Sequence, residues 1–113
     1  MHELSLARDI IEIIRDDQIK MGLTKVDTVT LKIGHMTQVI PERLRFGFEC
    51  LSEETSLEGA ELVIESVPSS GRCMTCGKDF RINHWTFVCP VCSSTDISIL
   101  SGREFEISEY GGH

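Results

Sequence analysis

A chain of 113 residues, 41% of them hydrophobic, has apolar material for one ordinary core, or for a small core plus an appendage that needs other support. Its formal net charge of −7 argues against a general nucleic-acid binder, since no basic face is present to meet a phosphate backbone. No apolar run approaches the ~18 residues of a membrane span, and Met1-His2-Glu3 opens the chain without a basic or apolar leader, so a soluble, cytoplasmic protein with no membrane partner is expected.

Residues 4 to 21 carry Leu4, Ala7, Ile11 and Ile14 on one stripe and Leu6, Ile10 and Ile13 beside it, with Arg8, Asp9, Glu12, Arg15 and Asp16 largely opposite. This spacing predicts an amphipathic helix, with Gly22 as its stop. Residues 27 to 33 alternate, Val29, Leu31 and Ile33 against Thr28, Thr30 and Lys32, as a half-buried strand does. A loop over 34–40 leads to Pro41, which suits the first position of a second helix because its missing N–H would have no partner there. Leu44, Phe48 and Leu51 form that helix's apolar stripe, and Cys50 is expected to be a small buried hydrophobe on it. Ala60, Leu62 and Ile64, with Val63 and Val67 on the other side, predict a strand covered at least partly on both faces.

Pro68-Ser69-Ser70-Gly71 reads as a short linker. It leads into Cys73, Cys76, Cys89 and Cys92, two C-x2-C pairs separated by twelve residues. Each pair can wrap a tight turn that aims both sulfurs at one ion, and two such turns face to face supply the four thiolates of a closed tetrahedral zinc site. The spacer is shorter than the usual roughly fifteen to twenty residues, so the intervening hairpin must be compact. Disulfides are an alternative in an oxidising compartment, and iron also accepts four thiolates. His84, inside the hairpin, could replace one cysteine. A closed four-ligand ion has no vacancy for substrate, which favours a structural role over a catalytic one.

Few large apolar side chains lie in residues 68–100, so a metal would supply folding energy that a core cannot. Ile97 to Leu100 are strand-like, and Phe105 and Ile107 alternate with Glu104, Glu106 and Ser108 in a last strand. The tail from Tyr110 to His113 is expected to fray. The predicted fold is α+β: two helices packed on a small three-stranded mixed sheet, with an inserted zinc-ribbon-like module. Residues 1–67 plus 101–113 form the main domain and 68–100 the module.

The amino end offers a second set of donors. The Met1 amine and the His2 amide close a five-membered chelate, the His2 imidazole and that amide a six-membered one, and the Glu3 amide can complete a plane. Planar nitrogen coordination selects Ni(II) or Cu(II) over zinc and magnesium. Glu3 also reads as an acidic first-turn residue favoured by the helix dipole.

Met1-His2-Glu3-Leu4-Ser5, the strand and loop Val29–Gly34, the run Val39-Ile40-Pro41-Glu42-Arg43-Leu44-Arg45-Phe46-Gly47-Phe48, the four cysteines and Ser101-Gly102-Arg103-Glu104 together resemble the hydrogenase maturation nickel chaperones called HypA or HybF. The resemblance runs nearly end to end. It implies that Met1, His2 and Glu3 form or support a nickel site, with Ni(II) as transferable cargo, and that Cys73, Cys76, Cys89 and Cys92 hold structural Zn(II). It also implies delivery of Ni(II), with a HypB-type GTPase, to the large subunit of NiFe-hydrogenase. Some relatives also serve urease, which makes a urease accessory protein a further expected partner, and a homodimer is a further expectation. Some members add a histidine of the zinc module or an acidic residue of the loop before the second helix. Here that loop has no Asp or Glu before Glu42, which leaves His84 and His35 as candidates.

The rival reading is a zinc-ribbon interaction or regulatory module that carries zinc alone. An enzyme is not expected, since no nucleophile motif, phosphate-binding glycine loop or catalytic-zinc ligand set is present.

Overall fold

The computed structural model describes residues 3–113. Helix α1 spans Glu3–Met21, strand β1 Val26–Gly34, and a single 3-10 turn His35–Thr37 occupies the segment expected to be plain loop. Helix α2 spans Pro41–Ser52, followed by β2 Glu61–Val67, β3 Ser70–Cys73, β4 Asp79–Arg81, β5 Ile97–Ser101 and β6 Phe105–Gly112. The chain divides into two compact units: one comprises the chain up to Lys32, Val39–Glu65 and Glu106–His113, the other Ile33–Gln38 and Ser66–Phe105. No helix among the described residues is long and apolar enough to cross a membrane.

In the first unit the strand order is β2-β1-β6. Strand β6 runs antiparallel to β1, with Lys25 and His113 exchanging backbone hydrogen bonds at 2.9 and 3.0 Å, while β2 returns through the helical crossover α2. The result is the expected mixed sheet with two helices. Its core joins Ala7, Ile10, Ile11 and Ile14 of α1 to Val26, Val29 and Leu31 of β1, Leu44 and Phe48 of α2, Leu57, and Leu62 of β2. Helices α1 and α2 approach closely at Gly47, where an added Cβ would lie 3.2 Å from the Leu4 side chain.

Several local expectations are corrected here. The buried stripe of α1 is Glu3, Ala7, Ile10, Ile11, Ile14 and Gln18, and Leu4 and Ile13 stay exposed on its flanks. Cys50 is exposed, because it lies about 200° around α2 from the buried Phe48. Strand β2 buries Leu62 on one face, while on the other Val67 is half-buried and Val63 exposed, so the partial cover of both faces expected from its pattern is present on this edge strand. The tail does not fray. His113 is held by the backbone of Thr24 and Lys25, and the Tyr110 hydroxyl donates to the Asp17 carboxylate, so long-range pairing overrides the usual looseness of a terminus.

The second unit contains the antiparallel sheet β4-β3-β5. Arg72 pairs with Asp79 across β3 and β4, and Cys73 with Ile97 across β3 and β5. Ser70 and Gly71, read from sequence as linker, belong to the central strand of this sheet. The four residues Ser-Gly-Arg-Cys show no hydrophobic alternation, so only their partners on both sides make them a strand. Gly34, at the end of β1, is fixed by contact: a Cβ there would stand 2.1 Å from the Gly102 carbonyl oxygen. Its N–H donates to the Glu104 carbonyl at 2.7 Å, and the Met36 N–H donates to the Gly102 carbonyl at 2.7 Å.

Candidate metal centre

The two C-x2-C turns are built by one repeated set of backbone bonds. The Cys73 N–H donates to the Lys78 carbonyl at 2.9 Å, and the Cys89 N–H to the Ser94 carbonyl at 2.9 Å. The Cys73 carbonyl accepts from Gly77 at 2.8 Å, and the Cys89 carbonyl from Ser93 at 3.0 Å. Gly77 and Ser93 close their turns with φ of 81° and 63°, a region that glycine enters freely and serine at a cost. A Thr75–Ser94 hydroxyl contact of 2.8 Å ties one turn to the other.

These turns bring the four sulfurs within 4.8 Å of one another. Cys73 and Cys92 sulfurs stand 3.5 Å apart and those of Cys76 and Cys89 3.7 Å, far beyond a disulfide bond of about 2.05 Å. Four ligands at the Zn–S distance of about 2.3 Å in a tetrahedron would be spaced by about 3.8 Å, so the set fits an ion of that size at its centre. His84 does not join this group.

Backbone N–H groups also prepare the sulfurs for a cation. Cys76 donates to the Cys73 sulfur at 3.4 Å, while Val91 and Cys92 donate to the Cys89 sulfur at 3.4 and 3.5 Å. The Cys76 amide foremost, helped by Thr75, lowers the Cys73 thiol from 9.0 to about 6 against the opposing effect of burial. The Cys92 amide likewise lowers Cys89. Cys76 and Cys92 move the other way: the Lys78 amide pulls Cys76 down, but burial and the Cys89 and Cys73 sulfurs outweigh it. The Ser94 amide pulls on Cys92, yet the Cys73 sulfur, burial and the other thiols push it up to about 12. Like charges this close cannot all ionise unaided; a divalent cation supplies what the second pair of thiolates needs.

Of the amino-terminal donors, Met1 and His2 lie outside the described residues. Glu3 begins α1 and is only 8% exposed, and its carboxylate accepts a hydrogen bond from the Ile40 N–H at 3.3 Å. Ile40 is the N-cap of α2 and has no side-chain cap of its own, so Glu3 places negative charge at the positive end of that helix. Sequence reading found Glu3 as a first-turn acid of α1 but missed this contact with α2, for which no local signal exists. His35 and His84 line a common cavity in the second unit.

Fold and sulfur cluster together define a small α+β protein with four thiols clustered so that they could hold a metal ion. A family model described as HypA, hydrogenase/urease nickel incorporation, metallochaperone, matches residues 1–111. The chain belongs to this HypA family of nickel metallochaperones. Proteins named hydrogenase maturation factor HypA from Geobacter metallireducens and Desulfosudis oleivorans are 38% and 40% identical over 109 residues, covering 96% and 95% of this chain and 96% and 94% of theirs. The solution structure of the Ni metallochaperone HypA from Helicobacter pylori shares the fold, with a TM-score of 0.68 at 24% identity over 99% of this chain and 97% of that one. A second structure, titled solution structure of HypA protein, gives a TM-score of 0.75 at 24% identity over 100% and 97% of the two chains.

Proposed function

We propose that this chain is a nickel carrier, not an enzyme, that binds Ni(II) at its amino end and hands it to the large subunit of NiFe-hydrogenase in the cytoplasm. The observation that carries this reading is a family match that spans the Met1-His2-Glu3 segment and the cysteine clamp in a single alignment. The Met1 amine, the His2 amide and imidazole, and the Glu3 amide would be the nickel donors. Cys73, Cys76, Cys89 and Cys92 would hold zinc, whose chemistry is to lock the two turns together. A HypB-type GTPase is the proposed partner in transfer, with a urease accessory protein and a second copy of the chain as further partners.

A carrier must bind selectively and yet release. Donors at the very start of a chain can be exchanged with little disruption of the core, whereas a closed thiolate centre cannot. Burial of Glu3 against the Ile40 amide supports this arrangement by anchoring the first turn of α1 at the residue that follows His2 in sequence.

Nickel calorimetry on zinc-loaded protein with an unmodified amino end tests the reading. One zinc and one nickel per chain are expected, with nickel affinity lost in His2→Ala or after residues are added before Met1. Binding should weaken as pH falls below about 6.5, where the imidazole takes up a proton. Unchanged nickel affinity in both modified proteins would instead favour a module that carries zinc alone.

A further inference from the structure

Within the first unit a groove of about 420 Å³ runs between α1 and β6. Ile13, Ile14 and Asp17 of α1 form one wall, and Ile107 to Tyr110 of β6 form the other. Ile14 is buried, Ile107 half-buried and Ile13 58% exposed, so apolar surface continues here from the core out to solvent. The Tyr110 hydroxyl, donating to the Asp17 carboxylate, bridges the two walls.

One wall of the groove is also an open sheet edge. Among the described residues β6 pairs with β1 alone, in the order β2-β1-β6, so its other side presents backbone N–H and C=O groups with no strand to meet them. Such an edge is a template for another strand, and proteins commonly blunt it with lysine, proline or a short length. Strand β6 has eight residues and neither lysine nor proline. Its acids, Glu106 and Glu109, guard it against one partner in particular, because a second copy of the same edge would bring like carboxylates together.

Charge decides what the edge accepts. The groove is lined by two carboxylates, Asp17 and Glu109, and by no basic side chain. The first unit as a whole carries fifteen acidic and seven basic side chains, so its field draws in a basic partner. Residues 107–110 span roughly 13 Å at about 3.3 Å per residue, which lets two alternate side chains of an added strand enter the groove. We propose that the α1–β6 groove docks an extended segment of a partner protein, paired with β6 as an added strand, whose inward side chains are aliphatic and whose others are basic. The site includes none of the proposed metal donors, so it stands or falls separately from the nickel-carrier reading.

The probe is a capped, dye-labelled heptapeptide of alternating lysine and valine, titrated by fluorescence anisotropy into zinc-loaded full-length protein. Saturable binding of one peptide per chain is expected, weakened by added salt and accompanied by slower exchange of the outward amides of β6. Ile13→Ser, which removes exposed apolar wall without touching the core, should weaken binding at least about tenfold, and Glu109→Gln about two- to fivefold. Asp17 is left in place because its carboxylate also holds Tyr110. Glu61→Gln, on the opposite edge strand β2, should change nothing. A peptide of alternating glutamate and valine, or the lysine–valine peptide with proline at its centre, should not bind. Attraction by net charge alone, with the proline peptide held as tightly or Glu61→Gln as harmful as Glu109→Gln, would overturn the site. Slower exchange on β2 in place of β6 would reject it as well. So would a dimer of the protein alone that already protects β6 and dissociates in Ile13→Ser, since the occupant would then be a second copy.

Discussion

The Glu3 carboxylate, 8% exposed, accepts the Ile40 N–H at 3.3 Å and so caps α2 from the first turn of α1. Two helix beginnings are thereby joined by one buried acid. Helix α2 starts with Pro41 and has no capping side chain of its own, so this carboxylate is both a hydrogen-bond acceptor and a charge matched to the helix dipole.

Glu3→Ala should therefore destabilise the protein by about 1–3 kcal/mol, because the Ile40 amide loses its partner and a buried side chain is truncated. Glu3→Gln keeps an acceptor and loses only the charge, so about 0.3–1 kcal/mol is expected. Urea unfolding of the two variants beside the parent checks the order. Equal losses would mean that charge, not hydrogen bonding, carries the contact.

The two cysteine turns share one backbone design but differ at the residue with positive φ. Gly77→Ala should cost about 1–2 kcal/mol of stability, a purely conformational effect, since an added Cβ meets no atom within 4 Å. Ser93→Gly relieves the same strain in the other turn and should stabilise by up to about 1 kcal/mol, offset by the added freedom of glycine in the unfolded chain. Thermal unfolding with zinc bound reads both signs.

In metal-free protein the thiols should titrate apart. Cys73, lowered from 9.0 to about 6, contributes stability that is complete above about pH 9 and lost as pH falls through about 6. Cys92, raised to about 12, contributes stability present below its ordinary 9.0 and lost as pH rises through about 12. Thiolate absorbance should thus show an early step near pH 6 belonging to the cluster, and Cys73→Ser should remove it. With a divalent ion bound all four sulfurs are held as thiolates, the step vanishes, and acid titration should release metal and protonate the set together.

Tyr110 is the chain's single tyrosine, so its ultraviolet titration is unambiguous. The hydrogen bond to Asp17 raises its pKa above 10.0, with burial and the carboxylate charge acting in the same direction. The contact stabilises the fold below pH 10 and is lost as pH rises through the elevated value, when phenolate and carboxylate repel. Asp17→Asn should bring the midpoint back toward 10. A midpoint unmoved by that change would show that β6 is held to α1 by other means.

Chelation gives the most direct test of what the thiol centre contributes. Removing the metal should loosen β3, β4 and β5, whose residues between Ser70 and Ser101 include few buried large side chains, while α1 and α2 retain their own core. Amide exchange should accelerate in the second unit first. Uniform acceleration across both units would contradict a local role.

The sequence by itself determined the features that depend on near neighbours. Helical period marked α1 and α2, alternation marked β1 and β6, and the C-x2-C spacing marked the sulfur cluster, because the two ligands of each pair stand only three residues apart and share one turn. The expectation of a mixed sheet with two helices followed from that pattern. Tertiary structure alone decided how fully each face of β2 is covered, that Ser70–Cys73 is a central strand, that Glu3 reaches Ile40, that Tyr110 and His113 bind the tail down, and that His35 and His84 share a cavity. Each of these joins groups distant along the chain, and the energy of such a contact depends on a partner that no local window contains.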